Sequence, residues 1–136
     1  MSKSIYVNLP VKDLERSKNF FTELGFSFDP KFTDDKAACL VIGENIFAML
    51  LTEPFFKTFT RKEICDSTKY TEVLIAFDQD SREKVDEMVE KAVKAGGSKY
   101  SEPEDHGWMY HHAFADPDGH QWEVMYADES KLPQEA

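Results

Sequence analysis

Glu123 is the one carboxylate in the run His120 to Tyr126 that closes the stretch MYHHAFADPDGHQWEVMY. Strand alternation puts Gln121, Glu123 and Met125 on one face, with Trp122, Val124 and Tyr126 on the other. The second set is a core face. Glu123 therefore points toward whatever the opposite face encloses, and there it must meet a cation, a proton, a donor or open water. His111 and His112 are adjacent on the preceding strand, so their side chains point to opposite faces and cannot both bind one ion in regular geometry. One of them lines a pocket; the other covers the outer face or pairs with a backbone group. His106, beside Gly107 and Trp108, is placed for a pocket mouth, and His120 for a solvated turn. No HxxH or HxxxH spacing supports a histidine metal motif. GxSxG, P-loop and GxGxxG patterns are also missing, which leaves hydrolase, NTPase and dinucleotide readings without support.

These residues sit in a chain of 136, long enough for one domain (1–136) with a real core, 41% hydrophobic and with 11 Phe. Its 26 acidic and 16 basic residues leave a net charge of −10. That balance argues against nucleic acid or an anionic membrane as partner, because both need basic patches. No stretch reaches the roughly 18 apolar residues of a membrane span, and no signal-peptide core opens the chain. Cys39 and Cys65 are too few for a disulfide framework and read as small hydrophobes in a reducing cytosol. The expectation is a cytoplasmic protein.

The elements that position Glu123 follow one pattern twice. Ile5, Val7, Leu9 and Val11 alternate with Tyr6, Asn8 and Pro10 as a half-buried strand. Asp13 caps a helix with the apolar stripe Leu14, Phe20, Phe21 and Leu24, stopped by Gly25. Residues 26–32, 36–42 and 46–52 read as strands, with a turn at Gly43-Glu44-Asn45. The connector 53–69 carries Phe55, Phe56 and Phe59, which suit a satellite cluster under a loop, a dimer contact or a flap over a pocket. From Tyr70 the order returns. Residues 71–77 alternate, Asp80 and Glu83 resemble a capping box, and Val85, Met88, Val89, Ala92 and Val93 give a strong helical period. Gly96-Gly97 stops this helix. A short strand at Lys99-Tyr100, a loop over 102–107 and a hairpin across Asp116-Pro117-Asp118-Gly119 complete the half. The fold class is α+β: two βαβββ repeats, 4–52 and 70–126, forming a cupped mixed β-sheet with helices on its outer face. Tyr6, Glu72 and Glu123 would line the concave side. A polar tail with Asp128, Glu129, Pro133 and Glu135 is expected to fray.

With VNLPVKDLERSKNFFTELGF near the start and FADPDGHQWEVMY near the end, the chain resembles the vicinal-oxygen-chelate superfamily of glyoxalase I, bleomycin-resistance proteins, fosfomycin-resistance enzymes and extradiol dioxygenases. The start motif looks most like small bacterial proteins described as lactoylglutathione lyases. The resemblance implies one divalent ion held from both repeats. Its ligand positions fall on Glu123, Glu72, Tyr6 and near Leu50. Two carboxylates suit Mg²⁺ or Mn²⁺ better than Zn²⁺ or Ni²⁺. Tyr6 and Leu50 depart from the pattern. Without a metal, Glu72 and Glu123 become hydrogen-bonding residues near Tyr6 and Asn8, or a pair sharing a proton.

Two functions follow from the resemblance. A glyoxalase-type lyase would use the metal to stabilise an enediolate, with Glu123 and Glu72 as ligands or bases. A bleomycin-resistance-type protein would hold a small molecule in an aromatic groove with no catalytic metal. Tyr6, Asn8, Trp108, Tyr110 and His112 are the ligand-binding candidates, and Phe47 and Met49 offer apolar walls. An extradiol dioxygenase fits less well, because its iron needs two His at such positions. A homodimer is implied by the resemblance.

Overall fold

The computed structural model describes residues 1–133, so the tail expectation at Glu135 lies outside the described residues. The chain contacts divide it into two compact units that meet at Tyr70 and Thr71.

The first unit runs β1 (Ile5–Val11), α1 (Leu14–Glu23), β2 (Ser27–Phe28), β3 (Ala37–Gly43), β4 (Ile46–Thr52) and a single turn, α2 (Glu53–Phe56). Its mixed sheet has the order β1-β4-β3-β2, with β1 parallel to β4 and β3 antiparallel to it. Register fixes the two faces. Asn8 pairs with Met49 and Met49 with Cys39, while Leu9 and Ala38 flank Leu50. Leu50, Ala38, Leu40 and Ala48 are fully buried on the face that α1 covers. Phe20 and Phe21 are both buried from α1 and meet edge to face at 4.9 Å. Each such side chain is worth roughly 1.5–3 kcal/mol of transfer from water. Asp13 caps α1 as expected, its Oδ1 accepting from the Arg16 amide.

The second unit repeats the order as β5 (Leu74–Asp78), α3 (Arg82–Lys94), β6 (Glu104–Asp105), β7 (Met109–Ala115) and β8 (Gln121–Ala127). Its sheet order is β5-β8-β7-β6. Val85, Met88, Val89 and Ala92 are buried along α3, whereas Val93 stays 47% exposed. Trp122, Phe114 and Val124 form the face beneath that helix, each at most 1% exposed. The two βαβββ repeats of the sequence reading are therefore present, each as a mixed sheet with a helix on one face. No helix among the described residues is long and apolar enough to cross a membrane.

Several local expectations change. The strand expected over 26–32 stops at Phe28, because Asp29 caps a 3₁₀ turn at Pro30–Phe32 and Pro30 has no amide to give a ladder. Ser81, not Asp80, caps α3, since its hydroxyl reaches the Lys84 amide at 3.2 Å. The strand expected from Thr71 begins only at Leu74. The short strand expected at Lys99-Tyr100 is a single bridge at Ser98, and residues 104–105 of the expected loop pair with β7 instead. The tail is tied down in part: Asp128 caps a 3₁₀ turn at Glu129–Lys131.

Candidate functional site

The Asp116–Gly119 turn is built around one buried carboxylate. Asp116 Oδ1 accepts from the amides of Asp118 and His120, both at 3.0 Å, and Oδ2 accepts from Trp122 Nε1 at 3.1 Å. Gly119 takes φ 91°, which a side chain would strain. Burial lifts the Asp116 carboxyl above the usual carboxylate range, even though these donors and His120 oppose the rise. The turn locks Trp122 into the core and so aims its neighbour Glu123 at the opposite face.

There Glu123 pairs with Ala76 on β5 and Ala113 on β7. Two small side chains leave it half-buried, and it makes no hydrogen bond or ion pair among the described residues. Tyr100 is close enough to feel its charge. The Tyr100 phenol is pushed up to about 12, first by burial and then by Glu123.

The positions that the resemblance assigns to an ion do not converge within either unit. Glu72 is exposed and lies ahead of β5, four residues before Ala76, the partner of Glu123. In the first unit Leu50 is buried on the α1 face, while Tyr6 lies on the other face and stacks on Phe47 at 4.9 Å. The residues of β4 that share the Tyr6 face are Phe47, Met49 and Leu51. Leu50 offers no donor atom, so of this set the first unit presents only the Tyr6 phenol.

Tyr110 and His112 face α3, away from Glu123. The Tyr110 hydroxyl donates to Asp86 Oδ1 at 2.6 Å, and burial with this bond pushes the phenol up to about 12. His112 is 7% exposed, and its Nδ1 stands 3.8 Å from the same carboxylate oxygen, beyond hydrogen-bond reach. Among the described residues neither ring nitrogen has a hydrogen-bond partner. Trp108 precedes β7, half-buried, and its carbonyl accepts from the Asp128 amide.

Asn8 and Met49, both sequence candidates, line a cavity. An open hollow of about 440 Å³ lies on the first unit's sheet face opposite α1, floored by Asn8, Met49 and Leu51 and walled by Phe32, Phe55 and Phe59. Phe55 and Phe59 meet edge to face at 5.1 Å. Of the other polar groups of the wall, Thr33 Oγ1 accepts from Cys39 N and Asp34 Oδ1 accepts from Lys36 N and Ala37 N, while the Lys31 ammonium lies 6.0 Å from the Phe32 ring centroid. The Asn8 carboxamide makes no such bond among the described residues. Sequence reasoning missed the Phe32 wall and Tyr100. The Asp29-Pro30 dipeptide was the signal for the first, since it turns the chain back over the sheet.

Comparison with known proteins follows this architecture. The model of the Glyoxalase/Bleomycin resistance protein/Dioxygenase superfamily matches residues 3–124. A hypothetical protein from S. aureus is 30% identical and superposes with a TM-score of 0.80, over 93% of this chain and 95% of its own. A bleomycin resistance determinant encoded on transposon Tn5 shares the fold at 20% identity and TM-score 0.65, over 93% of this chain and 99% of its own. A fosfomycin resistance protein from Listeria monocytogenes does so at 22% identity and TM-score 0.67, over 99% and 96%. No curated protein matches the chain. On the breadth of the family match, the chain belongs to the Glyoxalase/Bleomycin resistance protein/Dioxygenase superfamily.

Proposed function

We propose that this chain is a small-molecule-binding protein of the bleomycin-resistance kind, holding its ligand in the hollow of the first unit. The observation that carries this reading is the hollow itself. Its volume of about 440 Å³ lies in the range of ligand sites, and its lining is mainly apolar, with the Asn8 amide and the Lys31 ammonium as the groups able to meet a polar ligand atom. Phe32, Phe55, Phe59 and Met49 suit a flat apolar or aromatic body, and Asn8 supplies a donor and an acceptor to orient it. The net charge of −10 suits a neutral or cationic ligand and disfavours nucleic acid or an anionic membrane. A homodimer in the cytoplasm belongs to the same reading, and sedimentation of the purified chain tests the dimer.

Benzamide, an aromatic amide of fragment size, serves as the test compound. Titration into the protein should shift the Met49 methyl and the Asn8 side-chain amide resonances saturably. Asn8→Leu should weaken binding by about tenfold, the loss of roughly one good hydrogen bond. Shifts confined to residues outside the hollow would refute the assignment.

Glu123 supports a second reading, acid/base chemistry on a bound ligand. Its carboxylate is half-buried, without hydrogen bond or ion pair among the described residues, and adjoins Tyr100. A general base needs such an uncommitted group within reach of a proton. Turnover of the methylglyoxal–glutathione hemithioacetal, abolished in Glu123→Gln, would establish the lyase; no turnover above background would remove it.

A further inference from the structure

Across the β6–β7 ladder Glu104 pairs with His111. Glu104 Oε2 lies 3.2 Å from His111 Nε2 and 3.3 Å from His106 Nε2. The two imidazoles stack with centroids 5.5 Å apart and planes 17° from parallel, so both present Nε2 to the same oxygen. All three atoms fall within 4.8 Å of one another.

We propose that Glu104, His106 and His111 bind a divalent transition-metal ion of the Zn²⁺ class. The positions are separate from those that the superfamily resemblance assigned to an ion. Bonds of ~2.0–2.1 Å in a tetrahedron set neighbouring ligand atoms about 3.3–3.4 Å apart. The two carboxylate–imidazole separations match that edge to about 0.2 Å. Two imidazole nitrogens and one carboxylate oxygen favour Zn²⁺, Co²⁺ or Ni²⁺ over Mg²⁺ or Ca²⁺. Three protein ligands leave a position for water or for a ligand group.

Contacts outside the three ligands also hold the hairpin. Asp105, between two of the ligands, faces the other side of the sheet and pairs with Arg82 at 3.2 Å. Its Oδ1 also accepts from the Gly107 amide, while Arg82 donates to the Gly107 carbonyl at 2.9 Å. The guanidinium lies over the rings of Tyr110 and Tyr126 at 5.9 and 5.6 Å. The His106 amide closes the turn onto the Met109 carbonyl at 2.7 Å. Arg82 is thus a positioning residue, holding two ligands in place from outside the ligand shell. Glu123 shares the sheet face, but His111 pairs with Met125, which leaves Glu123 a diagonal neighbour roughly 7–8 Å away. Its carboxylate is not one of the ligand atoms that gather within 4.8 Å here.

The test is Zn²⁺ titration of the metal-stripped full chain against a chromophoric chelator. One ion per chain should bind, and uptake should weaken in acid, because protons compete for the ligand atoms. His106→Asn, His111→Asn and Glu104→Gln should each weaken binding by more than about tenfold, and Arg82→Ala by a smaller factor. Glu72→Gln and Glu123→Gln should leave it unchanged. NMR of the imidazoles, which reads the native fold directly, should show Zn²⁺ moving His106 and His111 but not His112 or His120. Absence of uptake, uptake that survives the double His106→Asn/His111→Asn variant, or loss in Glu123→Gln would each overturn the proposal. Ligand binding at Met49 is read in the other unit, so the failure of either assignment leaves the other standing.

Discussion

Replacing Asp116 by Ala strips the acceptor from three donors at once. Trp122 Nε1 and the Asp118 amide belong to residues only 1% and 6% exposed, so water cannot replace the lost oxygen there. His120 is less buried, and its amide can be rehydrated. Two orphaned buried donors cost about 1–3 kcal/mol each. Removing a carboxylate whose burial already lifts its pKa offsets part of that cost. The net expectation is about 3 kcal/mol, or a fall in Tm of about 10 °C for a chain of this size. Asp116→Asn keeps one acceptor and should lose about half as much. Urea unfolding at neutral pH gives the free energy, and near-ultraviolet circular dichroism reports the Trp122 environment. Loss below ~1 kcal/mol for Asp116→Ala, with the Trp122 signal intact, would refute the claim that this carboxylate fixes the turn and the strand behind it.

Other outcomes follow from named contacts. Spectrophotometric titration should show phenols ionising late, near about 12 for Tyr100 and Tyr110. Stability from these neutral phenols is present below pH 10 and is lost as pH rises toward about 12. Glu123→Gln should lower the Tyr100 value while leaving Tyr110 unmoved. Arg82 holds the Asp105 carboxyl below its ordinary range, through their hydrogen bond first. Its contribution is therefore present above the usual carboxylate pKa and fades as pH falls through the lowered value; in Arg82→Ala the carbon NMR titration of Asp105 should move up toward the ordinary range. His112→Leu removes two buried nitrogens without hydrogen-bond partners among the described residues and should be neutral or stabilising by about 1 kcal/mol in urea unfolding.

The repeat and its helices were legible because their signals are local. Asp13, Gly25 and the Phe20–Phe21 stripe mark α1 without any tertiary information, and the alternation of Gln121 to Tyr126 assigns both faces of β8. What stayed hidden depends on pairing between strands. Nothing in the sequence around Glu72 says that the ladder starts at Leu74, and it is that register which places Ala76 beside Glu123. Leu50 and Met49 are adjacent and both apolar, so their faces cannot be told apart until Asn8 and Leu9 supply partners. His106 and His111 are five residues apart, a spacing with no meaning on a helix, and converge only because Glu104 folds back on β7. Tyr110 and His112 were assigned to a pocket from residue type alone. The structure turns them to α3, because β7 presents Tyr110, His112 and Phe114 to the helix as one alternating set.

The central claim is that a ligand is held in the first unit without an ion at the Glu123 position. The most direct measurement is the benzamide titration on the Met49 methyl in the presence of EDTA, for the wild-type chain and for Glu123→Gln. The account predicts a saturable shift that survives the chelator and is the same in both proteins, but is weakened by Asn8→Leu. Binding that vanishes with EDTA, or is lost in Glu123→Gln, would contradict it and return the site to the metal position that the family resemblance implies.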